Sequence, residues 1–549
     1  MTSKIKLATA ALFLLFTISA SAQIKWRNLR FSEQDSLRGS VTPERVWWDL
    51  KKYDLYVSVD PEAKTISGKN TISYVVLEEN NSMQIDMQEP MNITKVVQAG
   101  KELKFARNGN AFFVQLEEDQ KIGDAKEVTV HYDGEPREAV RAPWDGGFSW
   151  KKDDNGKHFI ATSNQGLGAS VWWPCKDHMY DEPEDGLILS MNVPAGLVAV
   201  GNGRLEGKKK EKDKTMTYTW KVVNPINNYG VNVNIGDYVN ISSKYDGLNG
   251  ELDVDFWVLS YNKEKAEEHF EDAYRTLEAF EHWFGPYPFY EDSYKLVEVP
   301  YLGMEHQSSV TYGNGYQKGY RGRDLSGTGW GLKWDYIIIH ETGHEWFANN
   351  ITYKDAADMW VHEGFTSYSE SLFTEYFYGK EAGAEYTRGL RFGIGNREPI
   401  IGEYDVNKSG SGDMYSKGHN MLHTIRQIID DDEKWREILV GLNKDFYHKT
   451  VTTKQIEDYM SEKAGIDLSK VFDQYLRDVR IPVLEYALNE DGMYYRWVNC
   501  MRGFEMPIKA VIDGKETTLE AKNQYQKFDG EITKVEFDNN FYVYTFQIR

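Results

Sequence analysis

Two histidines four residues apart stand in the stretch WDYIIIHETGHEWF, residues 334–347. On a helix, positions i and i+4 share a face with their Cβ atoms ~5–6 Å apart. His340 and His344 can therefore reach one ion at the ~2.0–2.1 Å that a zinc–nitrogen bond requires. Glu341 projects beside His340 at an angle unsuited to ligation but suited to touching a water held by the ion, the H-E-x-x-H arrangement of metal-assisted hydrolysis. The plainer alternative is a pair of histidines on a helix flank. A second helical run opens in Asp358–Phe365 and carries Glu363, 19 positions after His344. A helix, a turn and a new helix bring a chain back on itself, so Glu363 can supply a third, carboxylate ligand. Two histidines and a glutamate leave one coordination position open, as catalytic zinc needs. Structural zinc more often takes four protein ligands, and two cysteines are too few for the usual sets. The expectation is one catalytic Zn²⁺ per chain. Glu370, seven residues after Glu363, lies on the same helix face; it is read as a solvated helix residue, with support of a ligand histidine as the alternative.

Metal ligands alone do not choose a substrate. Strand-like residues in VEVPYLGMEHQSS, 297–309, run into Gly303-Met304-Glu305-His306. At this point the chain resembles the gluzincin zinc aminopeptidases, the family of aminopeptidase N and leukotriene epoxide hydrolase, in a compact, exported bacterial form. That family has a Gly-x-Met-Glu-Asn strand, a zinc motif some tens of residues later and a ligand Glu 19 past the second His. Here Glu305 precedes His340 by 35 positions, and WFGPYPFY, 283–290, is similar to the family's lead-in. Tyr415-Ser416-Lys417-Gly418 resembles the segment with the family's catalytic tyrosine. Asn164-Gln165-Gly166, followed by Trp173-Pro174-Cys175, resembles the one that lends a glutamine to the amine site. The likeness covers roughly residues 45–480. Leu302 and His306 stand where the family pattern has Gly and Asn, and Glu345 and His362 replace Gln and Asn. The departures at Leu302 and His306 concern the floor of the first side-chain pocket and the partner of the first carbonyl.

The resemblance implies an aminopeptidase acting on peptides with a free N-terminus. Glu305 and Gln165 would hold the α-ammonium, since charge-assisted hydrogen bonds are strong and directional. Gly303 and Met304 would pair with an extended substrate by strand addition. Glu341 would be the general base and Tyr415 the donor to the oxyanion. Alternatives are a zinc endopeptidase, a catalytically idle peptide-binding relative, and epoxide hydrolysis as a side activity.

The elements that must position these residues follow from periodicity. Over residues 45–258 short alternating segments dominate; Leu252, Val254, Phe256 and Val258 mark a half-buried strand, and Asp133-Gly134 a hairpin turn. The mixed charges of 208–214 read as a solvated strand connection, and Trp172-Trp173 as packing. From Ser260 the spacing of Ala266, Phe270, Ala273, Leu277, Phe280 and Phe284 predicts one amphipathic helix stopped by Gly285-Pro286. Thr452 with Gln455 predicts a capping box. Gly327-x-Gly329-x-Gly331 follows no strand and reads as a loop, not a nucleotide cradle. Beyond Ile481-Pro482 the period returns to two, with Asp513-Gly514 and Asp529-Gly530 as hairpin turns.

The fold class is multidomain α+β. Residues 23–259 form an N-terminal all-β domain, 260–480 a mostly α catalytic domain (thermolysin-like, by the resemblance), and 481–549 a small C-terminal β domain that leans on its neighbour. Residues 1–22, with Lys4, Lys6, an apolar run from Leu7 to Ala20 and Ala20-Ser21-Ala22, have the order of a secretory signal peptide cleaved after Ala22. The apolar run is shorter than the ~20 residues that span a bilayer. The expected location is periplasmic or extracellular. A formal charge of −21 argues against nucleic acid and anionic lipid as partners. A mean hydropathy of −0.60 excludes a multispanning membrane protein. Cys175 and Cys500 are expected to be unpaired.

Overall fold

Alternation of apolar and polar residues builds the first half of the molecule. In the strand Trp48–Asp60, Leu55, Val57 and Val59 point inward while their neighbours face out. This strand pairs antiparallel with Thr65–Val76 and parallel with Leu187–Pro194, near the centre of an eight-stranded sheet. A four-stranded sheet of Val198–Val200, Asn234–Gly236, His158–Ser163 and Gly147–Lys152 packs on the same core, which contains Trp172 and Trp173. Those tryptophans are packing, as expected. The computed structural model describes residues 31–117 and 120–548. The expected signal peptide lies outside the described residues.

Residues Gln34–Arg549 make one compact unit. The hairpin Tyr238–Gly247 and Gly250–Leu259 does not join the N-terminal sheets. It forms one side of a five-stranded sheet continued by Tyr294–Glu298, Val310–Tyr312 and Gly303–Met304. A boundary at 259/260 therefore cuts through a sheet. Period-two patterning identifies strands, but it does not say which sheet they enter. The two-residue strand Gly303–Met304 lies at the sheet's edge, where an extended chain can add.

The apolar stripe of residues 266–284 is two helices, Lys263–His269 and Glu271–Phe284, broken at buried Phe270; the second ends at Gly285 with φ 89°. Against the second helix pack Tyr336–Gly343, Trp360–Tyr378 and Asp432–Asp445, and Ser416–Ile429 packs in turn on the last two of these. Thr452 and Gln455 form the expected capping box of the helix Thr453–Ala464. The C-terminal sheets share the helical region's core, and Tyr475 donates to the Tyr542 carbonyl at 2.6 Å. Asp513-Gly514 is the expected tight turn, with φ of 47° and 83° between the paired Ile512 and Lys515. The other two turn assignments fail. Asp133 and Gly134 lie within a strand opposite Ser67 and Ile66, and Asp529 pairs with Gly492 rather than turning. Cys175 and Cys500 are free and buried. Among the described residues no helix is long and apolar enough to cross a membrane.

Candidate active site

Asp335 sets the register of the helix Tyr336–Gly343. Its carboxylate caps the Ile337 and Ile338 amides and also accepts from Tyr312 and Asn314, which ties the helix start to the five-stranded sheet. One face of this helix carries His340, and His344 follows at its C-cap. The helix Trp360–Tyr378 crosses behind and presents Glu363 from its first turn. Ligand atoms of His340, His344 and Glu363 lie within 4.8 Å of one another. Glu363 Oε2 is 3.7 Å from His340 Nε2 and 3.4 Å from His344 Nε2. Tetrahedral ligands at ~2.0–2.1 Å from one ion stand ~3.3 Å apart, so the three converge on a common point. Glu363 Oε1 accepts from Gln165 at 2.8 Å, while Oε2 is buried without a hydrogen-bond partner. A buried, unpaired carboxylate oxygen facing two imidazole nitrogens is what a cation site requires.

The far sides of both rings are tied down, which leaves Nε2 as the atom able to ligate a metal. His340 Nδ1 is 2.8 Å from Glu370, and His344 Nδ1 is 3.0 Å from the Phe347 carbonyl and 3.0 Å from Thr366 Oγ1. Glu370 is thus not the solvated residue expected; it is 1% exposed and also accepts from Tyr386 at 2.7 Å. Helical spacing shows which face Glu370 shares, but not that this face is buried. Burial opposes a charged imidazole, yet Glu363 and Glu370 together raise His340 well above its ordinary range. The pocket therefore favours positive charge. Two imidazoles, one carboxylate and no thiolate fit zinc with an open position.

Glu341 and Glu305 flank the donor set, with a carboxylate oxygen of each and a His344 nitrogen mutually within 4.8 Å. Burial lifts Glu341 to about 7. Tyr415, immediately before the helix Ser416–Ile429, lays its ring nearly parallel to His340, with centroids 6.1 Å apart. Burial, with Glu363 and Glu305 beside it, keeps its phenol protonated.

Glu305 accepts from Gln165 at 2.7 Å and from Tyr229 at 3.0 Å. The Gln165 amide nitrogen donates to both Glu305 and Glu363, leaving its oxygen as the acceptor. Tyr229 had no sequence signal; it comes from a short turn with no recognisable motif. Gly303 fits because a Cβ there would sit 2.5 Å from Ile337 Cγ2. Leu302 lines the cavity. The His306 ring turns into the core, with Nδ1 3.3 Å from Thr311 Oγ1, while Asn349 donates to the Glu305 carbonyl at 2.9 Å. Glu345 accepts from Tyr287 and the Ser308 amide, and His362 accepts from the Tyr353 amide. These substituted residues brace the backbone. The cavity holds about 260 Å³, and Pro143, Trp144, Leu302, Met304, Tyr320 and Ile337 share its lining with the polar groups. All nine residues marked by sequence face this space.

Known proteins resemble the chain over most of its length. The Peptidase M1 N-terminal domain model matches residues 50–229, and the Peptidase family M1 domain model matches 268–475, together more than half of the chain. A probable aminopeptidase 2 of Sulfurisphaera tokodaii is 19% identical over 87% of this chain and 61% of its own length. Aminopeptidase N of Lactobacillus helveticus is 24% identical over 80% and 52%, and leukotriene A-4 hydrolase of Xenopus laevis 22% identical over 78% and 71%. The chain thus spans about half to three-fifths of the first two relatives. A crystal structure of a mutant M1 zinc metallopeptidase from Deinococcus radiodurans, bound to a Tyr-Ser-Ala substrate, superposes with a TM-score of 0.65 at 19% identity. It covers 79% of this chain and 95% of that one, and so shares the fold. Motifs, architecture and matched domains together place the chain in peptidase family M1.

Proposed function

We propose that this protein is a zinc aminopeptidase that removes single residues from the N-termini of peptides outside the cytoplasm. The observation that carries the reading is the Gln165 amide, which bonds at once to Glu305 and to the ligand Glu363. One side chain spans the gap between an unligated carboxylate and the metal pocket, so a substrate's ammonium and its first carbonyl fit side by side. An endopeptidase would need this end open, and the hydrogen-bonded cluster of Glu305, Gln165 and Tyr229 there favours an exopeptidase. The relatives named aminopeptidase support the same activity. Export rests on the charged, apolar and small-residue order of residues 1–22.

In this reading His340, His344 and Glu363 hold zinc, which supplies a Lewis acid that polarises the scissile carbonyl and brings the pKa of water toward ~7. Glu305 holds the α-ammonium, and Gln165 Oε1 accepts a second N–H. Gly303 and Met304 offer their strand edge to the substrate backbone. Glu341 accepts a proton from water and passes it to the leaving amine. Tyr415 donates to the developing oxyanion. Trp144, Leu302, Met304 and Ile337 suit apolar side chains.

A panel of fluorogenic aminoacyl amides, with and without a zinc chelator, tests the proposal. It predicts turnover that favours apolar residues, disappears with chelator and returns with added zinc. A zinc-loaded protein that turns over none of the panel, or one indifferent to the chelator, would contradict it.

A further inference from the structure

The glutamine at the centre of the amine end sits in a loop, Asn164–Gly168, with little regular structure of its own. Two of its residues are glycines in the left-handed region, Gly166 at φ 74° and Gly168 at φ 96°. Something outside the loop must hold it. On one side Gln88 donates to the Leu167 carbonyl at 2.7 Å. On another Asn407 donates to the Gly166 carbonyl at 3.1 Å. Directly beneath lies Arg38, in the short helix Glu33–Gly39 that precedes the stretch matched to the family's N-terminal domain.

Arg38 Nη2 reaches the Leu167 carbonyl at 3.4 Å, and Nη1 pairs with the Asp177 carboxylate at 3.0 Å and bonds its carbonyl. Asp177 in turn accepts from the Ser170 amide at 3.1 Å and the Ser170 hydroxyl at 2.5 Å. The guanidinium thus links both ends of the 167–170 segment. A Cβ on Gly168 would fall on Arg38 Nη2, so this glycine is where the loop admits the guanidinium. The helix is fixed in its turn, because buried Arg45 donates to the Arg38 and Ser40 carbonyls and pairs with Asp86 at 2.7 Å.

We propose that Arg38 is a positioning residue that holds Gln165 at the amine end of the cavity, so that a segment ahead of the family domain helps complete substrate recognition. The inference rests on the aminopeptidase reading above. Arg38 bonds to Asp177 and the Leu167 carbonyl rather than to Glu305 or Glu363, so it acts through the loop.

The test is a double-mutant cycle of Arg38→Ala and Gln165→Ala, reading KM and kcat on an aminoacyl amide, zinc content and the melting temperature. Arg38→Lys serves as the conservative variant that keeps the charge. Gln165→Ala is expected to raise KM about tenfold. Arg38→Ala should raise KM about fivefold, with zinc content unchanged and kcat little altered. The double variant should be no worse than Gln165→Ala alone, and Arg38→Lys should recover part of the loss. If Arg38→Ala lowers stability but leaves KM alone, or if its effect multiplies undiminished onto Gln165→Ala, Arg38 does not position Gln165, whatever becomes of the aminopeptidase reading. If Gln165→Ala itself leaves KM unchanged in an active enzyme, the amine role fails and the brace falls with it.

Discussion

The two ends of the cavity are built in opposite ways. The candidate metal end comes from one stretch of chain, His340 to Glu370, where one donor lies in a helix, the second at its C-cap and the third in the first turn of the next helix. The amine end is assembled from far apart. Gln165 meets Glu305 across 140 positions and Glu363 across 198, and Tyr229 meets Glu305 across 76. Local helix geometry fixes the first. The second exists only when the N-terminal β region docks on the helical region, with every contact closing a long loop. On the proposed function, binding the metal and reading the substrate's first residue therefore rest on different supports joined only through the Gln165 bond to Glu363, and perturbations away from that bond should separate them.

The largest expected effect falls on chemistry at the metal end with its geometry intact. Glu341→Gln removes the proton acceptor but none of the three ligands, so zinc should stay bound while turnover falls by about 10²–10⁴. Metal analysis alongside single-turnover assays checks this, and substantial residual turnover would remove Glu341 from its role.

A smaller effect sharpens the contrast. Glu370→Gln loosens His340 without touching substrate, so zinc affinity should fall about 10–100-fold. At saturating zinc, KM for an aminoacyl amide should be unchanged. A chelator-competition titration followed by kinetics makes the comparison; a shifted KM with normal zinc affinity would mean the two ends are not independent.

The smallest effect concerns a contact between the N-terminal and helical regions. Glu182 is buried beside Thr352 of the helical region, near the contact of Thr450 with the Tyr180 carbonyl. Burial, with Asp181 and Glu184 nearby, raises its carboxyl from 4.5 to about 8. Between these values the folded state keeps a proton that the unfolded chain releases, so stability from this group falls as pH rises from 4.5 toward 8. Glu182→Gln should leave the melting temperature nearly unchanged below pH 5 and raise it by a few degrees above pH 8. An equal shift at both pH values would reject the assignment.

The same division explains what the sequence disclosed. His340, His344, Glu341 and Glu363 lie within one helical reach, so spacing alone exposes them. The capping box at Thr452 and Gln455 is equally local. Glu305, Gln165 and Tyr415 were reached only through a family resemblance, since no short-range geometry connects them. Tyr229 and Arg38 carry no motif, and their roles arise from docking. Glu370 was misjudged because periodicity gives a face and not what covers it. The hairpin 238–259, read with the N-terminal β domain, pairs with Tyr294–Glu298, for the related reason that alternation does not name a partner strand.

The most direct test of the two-ended cavity compares wild-type, zinc-loaded protein on one peptide with a free N-terminus and on the same peptide N-acetylated. The account predicts that acetylation, which removes the charge Glu305 holds, abolishes cleavage of the first bond, with no new cut appearing inside the chain. Equal cleavage of the two peptides, or internal cuts in the blocked one, would contradict it.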